Sequence, residues 1–146
     1  MTLEVVAVAA VHPTEDQAKV ERALLKIFPT GKVQREEKPD GAVFVSVHGS
    51  GFEFLSNLRI LIKQERIRNA ARGILLRRLR EPGFRFYLNK QAAFMGRVSF
   101  CEPVGESPHG PINIEVDTED KQAIVDYLAS PPTQSFNTDT RQERRR

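Results

Sequence analysis

The alternation of apolar and polar positions specifies most of this chain's elements before composition is considered. Leu3–His12 carries Val and Ala at odd and even positions alike, the pattern of a strand covered on both faces and expected at a sheet centre. Thr14-Glu15-Asp16-Gln17 reads as a capping box, with Thr14 as the cap and Gln17 reaching back. Val20, Ala23, Leu24, Ile27 and Phe28 then share one helical face, and Pro29-Thr30-Gly31 ends the helix. Lys32–Glu36 and Ala42–His48 read as strands around the turn Lys38-Pro39-Asp40-Gly41. Ser50-Gly51-Phe52-Glu53 repeats the capping-box pattern and opens a helical region. Its stripe of Leu55, Leu58, Leu61 and Ile62 passes into a second stripe, Ile67, Ala70, Ala71, Ile74 and Leu75, with a break expected near Arg66.

From Phe84 the period changes to two. Phe84, Phe86 and Leu88 share one strand face, and a loop at Asn89-Lys90-Gln91 is expected to return the chain as a second strand. That pairing sets Leu88 against Ala92, Phe86 against Phe94 and Phe84 against Gly96, with Arg85, Tyr87 and Arg97 on the opposite, mixed face. Ile112, Ile114 and Val116 form a further strand, and Thr118-Glu119-Asp120 opens a last helix carrying Ala123, Ile124, Tyr127 and Leu128. The predicted order is β-α-β-β-α-α-β-β-β-α, an α+β fold with a mostly antiparallel sheet packed against helices. Residues 1–129 are expected to form one such domain. Residues 130–146, polar and rich in Arg, are expected to be disordered.

Composition narrows the function classes. The lone Cys101 excludes an intrachain disulfide and a cysteine-based zinc site, and fits a reducing compartment. The first apolar run has no basic residues ahead of it, contains Glu4 and is too short to span a bilayer, so a cytoplasmic protein without a membrane segment is expected. The formal charge is only +3, but it is unevenly spread. Between 59 and 80, Arg59, Lys63, Arg66, Arg68, Arg72, Arg77, Arg78 and Arg80 face the single acid Glu65. The rest of the body is acidic, so the molecule is polarised.

The run Phe86-Tyr87-Leu88-Asn89-Lys90-Gln91-Ala92-Ala93-Phe94 resembles the signature of an archaeal family, uncharacterised protein family 0201. Three further segments agree in order and spacing: Pro13-Thr14-Glu15-Asp16, Gln64-Glu65-Arg66-Ile67 through Ala70-Ala71-Arg72, and Ser107-Pro108-His109-Gly110-Pro111-Ile112. Together they cover residues 1 to about 129. The resemblance implies a fold similar to the large-subunit ribosomal protein that binds 5S RNA, an archaeal source and pairing into dimers. It carries no reaction, cofactor or catalytic residue. The fold similarity points towards RNA, although fold alone does not establish function.

Two surfaces emerge as candidates. Arg59, Lys63, Arg66 and Arg72 on the helical region can track phosphates. On sequence the favoured alternative is that these arginines pair with acids of the body. Tyr87, with Arg85, Lys90 and Arg97, can stack a base as sheet-based RNA readers do. The favoured alternative there is a core hairpin whose polar loop makes turn or dimer contacts. Gly49-Ser50-Gly51 reads as a plain helix entry, lacking the ending of a Walker loop. His12, His48 and His109 show no ligand spacing, and Glu115 and Asp117 lack a paired acid in an evident pocket. The expected protein is therefore a non-enzymatic cytoplasmic homodimer without cofactor or metal, associated with RNA or ribonucleoprotein. The competing expectation is a protein-interaction or scaffold module that does not bind RNA.

Overall fold

The computed structural model describes residues 2–103 and 109–131. Its elements are β1 (Leu3–Val11), α1 (Gln17–Ile27), β2 (Lys32–Glu37), β3 (Val43–Ser50), α2 (Gly51–Gln64), α3 (Arg68–Arg78), β4 (Phe84–Leu88), α4 (Lys90–Phe94), β5 (Ile112–Thr118) and α5 (Lys121–Leu128). The strands form one sheet in the order β2-β3-β1-β5-β4, every pair antiparallel. As expected for an α+β fold, helices cover this sheet, and β1 lies at its centre.

Parity decides which sheet face is covered. Leu3, Val5, Ala7 and Ala9 of β1 are buried, with Ala7 paired to Val47 on one side and Ile114 on the other. Phe84, Phe86 and Leu88 continue the same face on β4. Against it pack Val20, Ala23, Leu24 and Ile27 of α1, Leu55, Leu58 and Ile62 of α2, Ala71 and Leu75 of α3, and Ile124 and Val125 of α5. Each large side chain buried this way contributes about 1.5–3 kcal/mol. The opposite face is open: Lys32, His48, Val6, Glu115 and Arg85 follow one another across the five strands. β2 lies at the sheet edge with all six residues exposed.

The elements follow the predicted order with one exchange. The expected return strand after β4 is replaced by the short helix α4, and its pairing partners change accordingly. The Asn89 side chain accepts from the Ala92 N–H at 3.0 Å and so caps a helix where a hairpin loop was expected. Gly96, at φ 73°, then turns the chain back. The returning segment touches β4 through the Leu88–Phe100 bridge and through Asn89 N–H to Ser99 O at 2.7 Å and Cys101 N–H to Tyr87 O at 3.0 Å. Capping chemistry and the helix preference of Ala92 and Ala93 override a period-two pattern that is coincidental beyond Leu88. Two other caps differ from expectation. Asp16, not Thr14, caps α1 through the Ala18 N–H at 3.0 Å, and Ser50 begins α2 without a side-chain cap bond.

The expected disorder of the tail concerns mostly residues 132–146, which lie outside the described residues, as do Ser107 and Pro108. Among the described residues no helix is long and apolar enough to cross a membrane.

Candidate nucleic-acid interface

The expected break near Arg66 is a tight elbow between α2 and α3. The Arg66 N–H bonds to Lys63 O at 3.1 Å and the Ile67 N–H to Ile62 O at 3.3 Å. That pair of bonds is a Schellman motif, whose left-handed position usually belongs to glycine. Here Arg66 holds it, at φ 60°. The turn throws Lys63, Arg66 and Arg68 outward, where all three are exposed and line a surface cavity of 430 Å³. Arg59, Lys63 and Arg68 line an adjoining one of 180 Å³ against Leu128. Among the described residues, no side chain bonds or ion-pairs with Lys63, Arg66 or Arg68. Arg59 lies 5.2 Å above the Tyr127 ring, still exposed.

The other predicted contacts are placed differently. Arg72 turns inward, donating to Asp126 Oδ1 at 2.7 Å and Ala129 O at 3.0 Å. Its hydrogen bond is the main reason that the Asp126 carboxyl lies below the ordinary aspartate value. Arg97 donates to both Glu65 oxygens, at 3.0 and 3.3 Å, lowering that carboxyl and raising its own pKa. Arg85 pairs with Glu115. Tyr87 is half-buried beneath Arg78, whose guanidinium sits 5.4 Å above the ring and 3.7 Å from Glu81 and from Glu102. The structure therefore does not gather Arg85, Tyr87, Lys90 and Arg97 into an open recognition face.

Lys90 is the clearest departure from expectation, because its side chain is fully buried. Its ammonium donates to Ala10 O at 2.7 Å, Glu15 Oε1 at 3.0 Å and His109 O at 3.0 Å. With three acceptors its donors are filled, so it presents no charge to an external phosphate. Glu15 Oε1 also accepts the His12 N–H at 2.8 Å. Burial pushes the Glu15 carboxyl up, but the His12 N–H, the Lys90 bond and the charges of Lys90 and His109 outweigh it and leave it below the ordinary value. The His12 and His109 rings meet at 4.0 Å, so the fold gathers two of the three histidines. Three of the four segments that carry the family resemblance thus meet at one buried lysine. Of its remaining signature residues, Gln91 is exposed, Ala92 and Phe94 are half-buried, Ala93 is buried, and Gly110, at φ 88°, leads through Pro111 into β5.

One group of exposed cations falls outside the sequence expectations: Lys19, Arg22 and Lys26 on α1. Their spacing of three and four residues is the signal that marks them as one helical face.

Comparison with known proteins now bears on this geometry. A family model described as RNA binding matches residues 4–118. A UPF0201 protein of Pyrobaculum aerophilum is 37% identical over 128 residues, covering 87% of this chain and 89% of the relative. One from Methanothermobacter thermautotrophicus is 38% identical over 122 residues, covering 83% and 86%. The crystal structure of a UPF0201 protein from Methanococcus jannaschii superposes with a TM-score of 0.75 at 34% identity, covering 86% of this chain and 98% of that one.

Proposed function

Since the chain belongs to the UPF0201 family, and the family model it matches is described as RNA binding, we propose that it binds RNA through the α2–α3 elbow. The carrying observation is that Lys63, Arg66 and Arg68 stand together, exposed, while Arg72, Arg85 and Arg97 are engaged by carboxylates. Exposed cations without a protein counter-ion are suited to neutralising phosphates, and each such contact releases condensed counterions. The role is binding, without a catalytic step, in the cytoplasm.

Self-pairing belongs to the same proposal. The open sheet face, where Val6, Val8 and Ala10 are only half-buried, is the surface offered to a second copy. A monomer at micromolar concentration in light scattering overturns that part alone.

Binding of a labelled RNA hairpin, followed across a salt series, tests the main reading. Wild type is expected to lose affinity steeply with salt. Arg66→Gln/Arg68→Gln is expected to flatten the logarithmic slope by about 1.4–1.8, at 0.7–0.9 for each phosphate contact removed. An unchanged slope sinks the elbow as the RNA site.

A further inference from the structure

The exposed cations of α1 form a second charged surface, unconnected in sequence with the elbow. Lys19, Arg22 and Lys26 line a cavity of 610 Å³ that also touches Phe94 and the loop at Thr14–Asp16. The two acids of that loop also line the cavity, but each has an oxygen engaged by the protein. Glu15 Oε1 is bound to Lys90 and the His12 N–H, and Asp16 Oδ1 caps the helix, so the three cations outnumber them. Lys26 is fixed, donating to Phe94 O at 2.5 Å. The side chains of Lys19 and Arg22 have no hydrogen-bond or ion-pair partner among the described residues.

This surface leads to the elbow. A side chain begun at Gly96 would lie 3.7 Å from the Lys26 stem, so Lys26 lies against that turn. The next residue, Arg97, reaches Glu65, which immediately precedes Arg66. Two groups of exposed cations thus flank one neutralised Arg97–Glu65 pair on the helical layer. Along α1 the row from Lys19 to Lys26 rises about 10 Å. Both tyrosines are covered by arginines, Tyr87 by Arg78 and Tyr127 by Arg59, so neither offers an open stacking ring.

We propose that α1 is a second phosphate-binding surface, and that it and the elbow together hold two phosphate runs of one folded, helical RNA. This rests on the RNA reading above and specifies its ligand. A base-paired helix carries two phosphate runs across a groove and is recognised largely by backbone shape, whereas a single strand carries one. Two cationic surfaces separated by a neutral bridge match the former.

Lys19→Gln/Arg22→Gln leaves buried residues untouched, and Lys26 is kept because it holds the Phe94 carbonyl. Full-length variants are titrated with a labelled RNA hairpin and with oligouridine of the same length, each over a salt series. On the hairpin the α1 variant is expected to bind at least ~10-fold more weakly and to lose about 1.4–1.8 in slope. On oligouridine its affinity is expected to change less than about threefold, as one surface serves a single strand. If its hairpin slope matches wild type while the elbow variant's falls, the α1 surface is refuted and the elbow stands. Equal losses on both RNAs overturn the two-run geometry. If neither variant changes hairpin binding, the RNA reading itself fails.

Discussion

Lys90 and Glu15 lie 75 positions apart in sequence and 3.0 Å apart in space, with side chains 0% and 9% exposed. Removing one member of so shielded a pair strands the other's charge, which typically costs about 3–5 kcal/mol. Lys90→Met is expected to lower the denaturant midpoint by an amount in that range. Adding Glu15→Gln to Lys90→Met is expected to recover part of the loss, because no unpaired carboxylate then remains buried. Additive losses in a urea double-mutant cycle contradict this coupling.

The same pair sets an acid limit. The folded Glu15 carboxyl titrates below its ordinary value, so its contribution is present above the unfolded glutamate pKa, about 4.3, and fades as pH falls through the lower folded value. Wild type and Glu15→Gln are therefore expected to differ in urea midpoint at pH 7 and to converge below pH ~4. A gap that stays constant between pH 7 and pH 3 contradicts the assignment.

Arg66 separates stability from binding. Its left-handed backbone costs a side-chain-bearing residue about 1–2 kcal/mol, against roughly 0.5–1 for the flexibility of glycine. Arg66→Gly is expected to leave stability unchanged or raise it by up to about 1.5 kcal/mol, while weakening binding to the RNA hairpin. A thermal melt and a binding titration on one preparation check both halves. A clear loss of stability means that the guanidinium has a structural partner.

Arg72 and Arg68 occupy the same helix and are expected to behave oppositely. Arg72→Gln removes bonds to Asp126 and Ala129 from a side chain only 17% exposed, and is expected to cost about 1–3 kcal/mol with no change in the salt slope of RNA binding. Arg68→Gln is expected to change stability by less than about 0.5 kcal/mol and to reduce that slope. Chemical denaturation paired with salt titration separates them.

Gly49 is required by contact. A β-carbon there would lie 2.0 Å from the Phe54 ring, which is stacked on Phe28 at 4.9 Å and cannot yield cheaply. Gly49→Ala is expected to destabilise by about 1–3 kcal/mol, with Gly49→Ala/Phe54→Leu less affected than the sum of its parts. Denaturation midpoints of the three variants decide it.

What the sequence disclosed depended on whether the signal was local. α1 and the two stripes meeting at Arg66 rest on periodicity within one element, and the structure follows them. β1 lies at the sheet centre as expected, but of the two faces expected to be covered only that of Leu3, Val5, Ala7 and Ala9 is, because no helix among the described residues packs over Val6, Val8 and Ala10. The segment after Leu88 misleads because Phe94 and Phe100 prolong an alternation that ends at Asn89, whose cap bond is the decisive local feature. Lys90 could not be placed at all, since its acceptors lie 80, 75 and 19 positions away and lysine is ordinarily a surface residue. Arg72 and Arg68 likewise read alike in sequence, and the positions of Asp126 and the Ala129 carbonyl distinguish them.

The two margins of the sheet carry one more consequence. β4's outer side is occupied at Tyr87 and Leu88 by the returning segment, whereas β2 stands at the other margin with Lys32, Gln34 and Glu36 on one side and Val33, Arg35 and Glu37 on the other. A strand seeking to extend the sheet at β2 must match both signs of charge in the correct register or meet repulsion. Fibrous growth by stacking edge on edge is thereby discouraged, and the guard against it is written in the side chains of a single strand.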